Sequence, residues 1–121
     1  MDKDYYKERI RLAICYIENN LDRKIKLSDI ANAAMISAYY FHRLFKKETG
    51  HTPKDYTKQR QMQEAYKTLS TNRQIEIQDI WIQLGYTSSS HFAKDFREYF
   101  GCNPSELKRN ADHAKKQSSG L

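Results

Sequence analysis

Tyr39, His42, Arg43 and Lys46 stand at i, i+3, i+4 and i+7, the spacing that sets side chains on one face of an α-helix. Together they offer a phenol, an imidazole, a forked guanidinium and an ammonium. Such a face donates hydrogen bonds to anions and to acceptor edges. Arginine pairs bidentately with guanine O6 and N7 in a major groove, and an aromatic ring beside it packs on sugar or on a thymine methyl. From Ser37 to Lys47 there are three cations, Arg43, Lys46 and Lys47, and no carboxylate. Solvated helix faces usually mix signs, so this one reads as a surface for a polyanion. Phe41, Leu44 and Phe45 occupy the opposite side and must face a core.

A second stretch carries related chemistry. Ser89, Ser90 and Lys94 lie on one open side, with Arg97 further along and His91 near its edge, while Phe92, Phe96, Tyr99 and Phe100 form a buried stripe. Lys94 and Arg97 are balanced in the sequence by Asp95 and Glu98. Three hydroxyls open this helix, Ser88, Ser89 and Ser90. Hydroxyls and unpaired N–H groups at a helix start suit phosphate; Ser88 serves equally as an ordinary cap. The two stretches are therefore expected to divide the work. The first reads base edges, through Tyr39, His42, Arg43 and Lys46. The second mostly anchors to the backbone or reads fewer. Ser28, Ser37, Lys47, Ser88 and Arg97 are expected to hold phosphates, since backbone contacts position and base contacts specify.

Catalytic chemistry finds little support. Four histidines, His42, His51, His91 and His113, are scattered without a metal-ligand spacing. Cys15 and Cys102 form no CxxC pair, and neither a nucleophile elbow nor a phosphate-binding glycine loop occurs. No enzyme activity, metal or cofactor is expected.

The elements that hold these residues follow from composition and repetition. The chain has 121 residues, a formal charge of +6 and 39% hydrophobic residues, which sets a prior of one domain or two very small ones with a lean core. It has no valine, and its ten isoleucines fall at helical spacings, which argues against an all-β fold. No apolar run is long enough for a membrane span and the N-terminus shows no signal-peptide core, so a cytoplasmic, nucleoid-associated protein is expected.

Sliding the chain by 50 residues aligns Leu27 with Ile77, Asp29 with Asp79, Ile30 with Ile80, Ala34 with Leu84 and Ile36 with Tyr86. The offset then becomes 51: Ser37 falls on Ser88, Phe41 on Phe92, Arg43 on Lys94, Phe45 on Phe96, Gly50 on Gly101 and Pro53 on Pro104. Coincident helical periodicity explains apolar matches but not the paired Gly-x-x-Pro punctuation. Each copy reads as a short helix, a tight turn, a second helix and a stop, which is helix-turn-helix organisation. Ser28 is expected to cap the first short helix, Ser37 the first longer one, and Ser88 or Thr87 the second. Ile10, Ala13, Ile14, Ile17 and Leu21 place a helix over 4–20. Met62, Ala65, Tyr66 and Leu69 place a connecting helix from Pro53 to near Ser70. Thr71-Asn72-Arg73-Gln74 is a polar break.

The fold expected is all-α, about seven helices in two helix-turn-helix subdomains joined by a long linker helix. Subdomain one covers 4–55, the shared linker 53–70 and subdomain two 71–109. Residues 110–121 lack an apolar period and are expected to be a disordered tail.

Over 8–109 the chain resembles the DNA-binding domain of the AraC/XylS transcription regulators. The resemblance is carried by Leu27-Ser28-Asp29-Ile30-Ala31, by Ser37 through Lys46 with Gly50-His51-Thr52-Pro53, and by Leu84-Gly85-Tyr86 followed by Ser90 through Arg97, Gly101 and Pro104. It implies a monomer that places both recognition helices in successive major grooves of double-stranded DNA, about 34 Å apart, on an asymmetric site. It also implies base contacts by Tyr39, His42 and Arg43 of the first recognition helix and by Ser89, Ser90, His91 and Lys94 of the second, and activation through RNA polymerase. Within the family, the chain is similar to short stress- and resistance-type activators and to the N-terminal DNA-binding part of Rob-type regulators, with no room for a sensor domain. Two other readings stay open on the residues: a helical module that meets an acidic protein, and a DNA binder without sequence preference.

Overall fold

The computed structural model describes the backbone of residues 3–72 and 74–119, and side chains from Asp4 to Ala111 apart from residue 73. Its elements are α1 (Lys3–Glu18), α2 (Leu27–Ala33), α3 (Ala38–Thr49), α4 (Pro53–Thr71), α5 (Ile77–Gln83), α6 (Ser89–Phe100) and α7 (Pro104–Ser119). Among the described residues there are seven helices and no strand, an all-α fold. The chain divides into two compact units, residues 1–60 and 61–121, with the boundary inside α4.

The core of the first unit joins Ile10, Ala13, Ile17 and Leu21 to Ile30, Ala31, Ala34, Phe41, Leu44 and Phe45. These are the three- and four-residue steps of α1, α2 and α3, so periodicity alone turns the apolar faces inward. Tyr56, near the start of α4, closes this core edge-on against Phe45 at 5.3 Å. A two-pronged ion pair adds a polar clasp, in which Arg60 Nε and Nη2 each reach Glu18 at 2.8 Å. In the second unit Met62, Ala65, Leu69, Ile80, Phe92 and Phe96 form the core, with Trp81, Leu84, Tyr86, Phe100 and Leu107 packed against it. Lys108 of α7 donates to the Ile75 carbonyl at 2.6 Å and so holds the segment leading into α5.

The repeat is physical at the level of hydrogen bonds. Both short helices end in the same crossed pattern. Ile36 N donates to Ala31 O at 3.2 Å and Tyr86 N to Trp81 O at 2.9 Å, each reaching back five residues. This ending requires a left-handed residue just before the donor. Gly85 supplies it at φ 89°; the matching residue of the first unit is Met35, at φ 63°. Gly50 and Gly101 end α3 and α6 in the left-handed region, donating to Lys46 O and Arg97 O. Pro53 and Pro104 then open α4 and α7, where a missing N–H costs nothing.

The structure corrects two expectations. Ser28 does not cap α2: the capping position is Lys26, which gives no side-chain bond, and Ser28 sits inside the first turn. The helix starts two residues earlier than a cap at Ser28 implies, at Leu27. The irregular tail expected from Asn110 is instead helical through Ser119. Ala, Lys and Gln in that stretch are good helix formers, and the next glycine is Gly120. Residues 120–121 of that tail, and Arg73 of the polar break, lie outside the described residues.

Candidate nucleic-acid interface

The first surface is built by α3. Ser37 caps it, its hydroxyl accepting from Tyr40 N at 3.3 Å. Phe41, Leu44 and Phe45 are buried beneath it. That rigid seat leaves Tyr39, His42, Arg43 and Lys46 exposed along one face, with Lys47 beside them. Tyr39 is 75% exposed. Arg43 Nη1 lies 3.5 Å from the Tyr39 hydroxyl and its guanidinium carbon 5.9 Å from the Tyr39 ring. The tyrosine therefore leans the guanidinium along the helix with donors to spare. Lys46 and Lys47 lie in the last turn, where positive charge also complements the helix dipole.

α1 braces this helix from behind. Tyr6 and Tyr40 meet at 6.1 Å, and their hydroxyl contact, with burial second, holds the Tyr6 phenol above its ordinary titration range. Arg9 stacks on Tyr5 at 4.7 Å and donates to Ala34 O at 3.3 Å. It thereby pins the end of α2 that precedes the Met35 turn.

The second surface is built by α6. Ser88 caps it, accepting from His91 N at 3.2 Å. Ser89, Ser90, His91, Lys94 and Arg97 are all exposed. Ser89, Ser90, Lys94 and Arg97 share one concave surface with Gln78 and Trp81 of α5, and Asn103 and Ser105 at the start of α7 complete it. Arg97 Nη1 reaches Asn103 Oδ1 at 3.4 Å. Asn103 is itself held by Glu106, so the guanidinium is tethered to the start of α7.

Three features of this second surface depart from the sequence reading. Asp95 does not balance Lys94 on the open side: it is buried, and its Oδ2 accepts from the Tyr86 hydroxyl at 2.8 Å. Helical phase explains it, since Asp95 follows Phe92 by three and precedes Phe96 by one. The matching residue of the first copy, Leu44, carries the same signal in the sequence. Tyr99, expected in the buried stripe, is 41% exposed; it lies in the last turn of α6, where a tyrosine can pack its ring on Phe100 and keep its hydroxyl in water. Gln78, Asn103 and Ser105 join the surface without any mark in the sequence, because residues on three separate elements leave no periodic signature.

Burial first, and the bond to Asp95 second, push the Tyr86 phenol far above its ordinary range. Tyr86 is thus the donor and the carboxylate the acceptor. Among the described residues no cluster of three or more His, Cys, Asp or Glu could hold a metal, and no helix is long and apolar enough to cross a membrane. The side chain of His113 lies outside the described residues.

Two polar, cationic helix faces, each set on a helix-turn-helix frame, coincide with a family match over most of that frame. A family model described as a helix-turn-helix domain matches residues 30–110. The chain belongs to the AraC/XylS family of helix-turn-helix transcriptional regulators. It is 33% identical over 109 residues to the Transposon Tn10 TetD protein of Escherichia coli, covering 90% of this chain and 78% of that protein. It is also 33% identical to the HTH-type transcriptional activator AarP of Providencia stuartii, over 76% of this chain and 67% of AarP. A crystal structure of a probable AraC family transcriptional regulator from Rhodopseudomonas palustris superposes with a TM-score of 0.73 at 28% identity, covering 85% of this chain and 96% of that one. Other AraC/XylS relatives are much longer, and the chain spans 36% of one and 40% of another.

Proposed function

We propose that this AraC/XylS chain binds a specific, asymmetric DNA site by setting α3 and α6 into successive major grooves of one duplex. The observation that carries this reading is the exposed Tyr39, His42, Arg43 and Lys46 face on the buried Phe41, Leu44 and Phe45 seat. In α3 these residues read base edges, with the Arg43 fork on guanine. In α6 Ser89, Ser90, His91 and Lys94 do so. Ser28, Ser37, Lys47, Ser88 and Arg97 hold phosphates, and Gln78, Asn103 and Ser105 extend the backbone contact around α6. The two helices differ in sequence, so the two half-elements of the site differ as well, and a monomer suffices.

The regulatory outcome is activation, with RNA polymerase as the protein partner and the bacterial cytoplasm and nucleoid as the setting. The name of AarP as a transcriptional activator supports that direction. A salt titration tests the DNA reading against that of a module for acidic proteins. Release of condensed counterions makes log K fall linearly with log salt, by about 0.9 per neutralised phosphate. A steep linear fall with duplex DNA supports the proposal. No retention of DNA at low salt contradicts it.

A further inference from the structure

The second unit departs from the first where α6 meets α7. Arg97 matches Lys46, Asn103 matches Thr52 and Glu106 matches Asp55 in the repeat. Thr52 is an ordinary cap: its Oγ1 accepts from Asp55 N, in the first turn of α4, at 3.1 Å. Asn103 turns its oxygen elsewhere, and Oδ1 accepts from Arg97 Nη1 at 3.4 Å. Glu106 holds the rest of the residue. Its Oε2 accepts from Asn103 N at 3.4 Å and its Oε1 from Nδ2 at 3.2 Å, the return half of a capping box. The backbone on either side is seated, since Pro104 is buried and Cys102 packs on the second core.

Hydrogen-bond polarity fixes which way this amide faces. A carboxylate only accepts and a guanidinium only donates, so Nδ2 belongs on Glu106 and Oδ1 on Arg97. The amide therefore holds the cation without neutralising it. An aspartate at the same place would repel Glu106 and offset the charge of Arg97. Nε and Nη2 of Arg97 make no bond among the described residues, which leaves most of the fork open. Arg97 lines a concave surface with Ser90, Lys94 and Ser105, and that lining holds two cations and no carboxylate. Open arginine donors on such a surface suit a phosphate, which a guanidinium meets with two parallel bonds. We propose that Asn103 is a positioning residue for phosphate recognition: held by Glu106, it pre-sets the Arg97 fork for the DNA backbone beside α6.

This rests on the reading of α6 as a DNA-contacting helix. It makes the share of Asn103 in the backbone contact indirect, through Arg97. A free arginine side chain loses rotamer freedom when it binds, and one already held loses less. The tether therefore acts on affinity while the number of neutralised phosphates stays the same. That separates it from a direct contact, which would add to the contact made by Arg97, and from a plain helix cap, which would change stability first.

The test measures binding of the full chain to a duplex selected by the wild type, over a series of salt concentrations. Wild type, Asn103→Thr, Arg97→Ala and the double substitution are compared. Threonine supplies the cap that Thr52 gives the first unit, so the urea midpoint is expected to stay near that of the wild type; Asn103→Ser takes its place if it does not fold. Asn103→Thr is expected to weaken binding by about two- to tenfold with the salt slope unchanged, because the cation remains. Arg97→Ala is expected to lower the slope by about 0.9. The doubly substituted protein binds no more weakly than Arg97→Ala alone. Nitrogen-15 relaxation at Arg97 Nε in the free protein is expected to show an ordered side chain in the wild type and a mobile one in Asn103→Thr. Unchanged affinity in Asn103→Thr, a loss that persists on top of Arg97→Ala, or equal mobility in the two proteins overturns the proposal and leaves the DNA reading standing. A wild-type chain that binds no duplex is a different failure: it overturns the DNA reading, and the phosphate role of Asn103 with it.

Discussion

Arg43 and Lys94 occupy matching positions in the repeat, yet as proposed readers of bases they are not equivalent. Arg43 carries a planar fork already steered by Tyr39 at 3.5 Å, whereas lysine is a flexible point charge. Arg43→Ala is expected to lower affinity for the specific site by about 1–3 kcal/mol, and Lys94→Ala by less. Parallel binding isotherms check this, and equal losses contradict the proposed division of work. Tyr86 leads to a second expectation. Tyr86→Phe leaves the buried Asp95 without its phenol donor, at a cost of about 1–3 kcal/mol of stability, read from urea midpoints. The phenol's titration is raised in the folded state. Its contribution is therefore fully present below the ordinary tyrosine value near 10 and is lost as pH rises beyond it. Wild-type stability is expected to fall in that alkaline window, and the Tyr86→Phe protein to fall less steeply. The open faces of α3 and α6 are legible from residue type and spacing. The burial of Asp95 is not legible from net charge, because charge counting treats every carboxylate as solvated, although helical phase puts this one on the buried stripe.

At the scale of elements, the helix-turn-helix units depend on a few backbone positions. Met35 holds φ 63° where the second unit uses Gly85. A left-handed conformation costs a side-chain-bearing residue roughly 1–2 kcal/mol, partly offset by the greater freedom of glycine in the unfolded chain. Met35→Gly is expected to raise stability by about 0.5–1 kcal/mol, and chemical denaturation measures it; destabilisation would show that the Met35 side chain contributes more than its strain. Ser37→Ala removes the cap on α3 and is expected to cost about 1 kcal/mol. The helices themselves are readable because apolar period, capping serines and Gly-x-x-Pro stops agree with one another. Where those signals are weak, sequence and structure part. Ser28 has the chemistry of a cap but Leu27 belongs to the helix, and the polar stretch after Asn110 has helix formers without an apolar stripe, which periodicity does not see.

At the scale of the whole molecule, the +6 charge acquires a location. Arg43, Lys46 and Lys47 lie on the outer surface of α3, and Lys94 and Arg97 on that of α6. Hiding Asp95 makes the second surface more positive than the sequence suggests, so both units are expected to draw on the phosphate backbone. The salt slope of the intact chain should therefore exceed that of a variant in which Lys94 and Arg97 are both replaced by alanine, by roughly 0.9 for each phosphate no longer neutralised. Sequence preference is the property that separates a regulator from a general DNA binder, and in the proposed function it arises from two unlike helices on a repeated frame. Selection of bound sequences from a random duplex pool measures it directly. An asymmetric site is expected, with two different elements about one helical turn, roughly 34 Å, apart. A pool that remains random after selection, or a palindromic site of two identical elements, would refute specific recognition by two unlike helices.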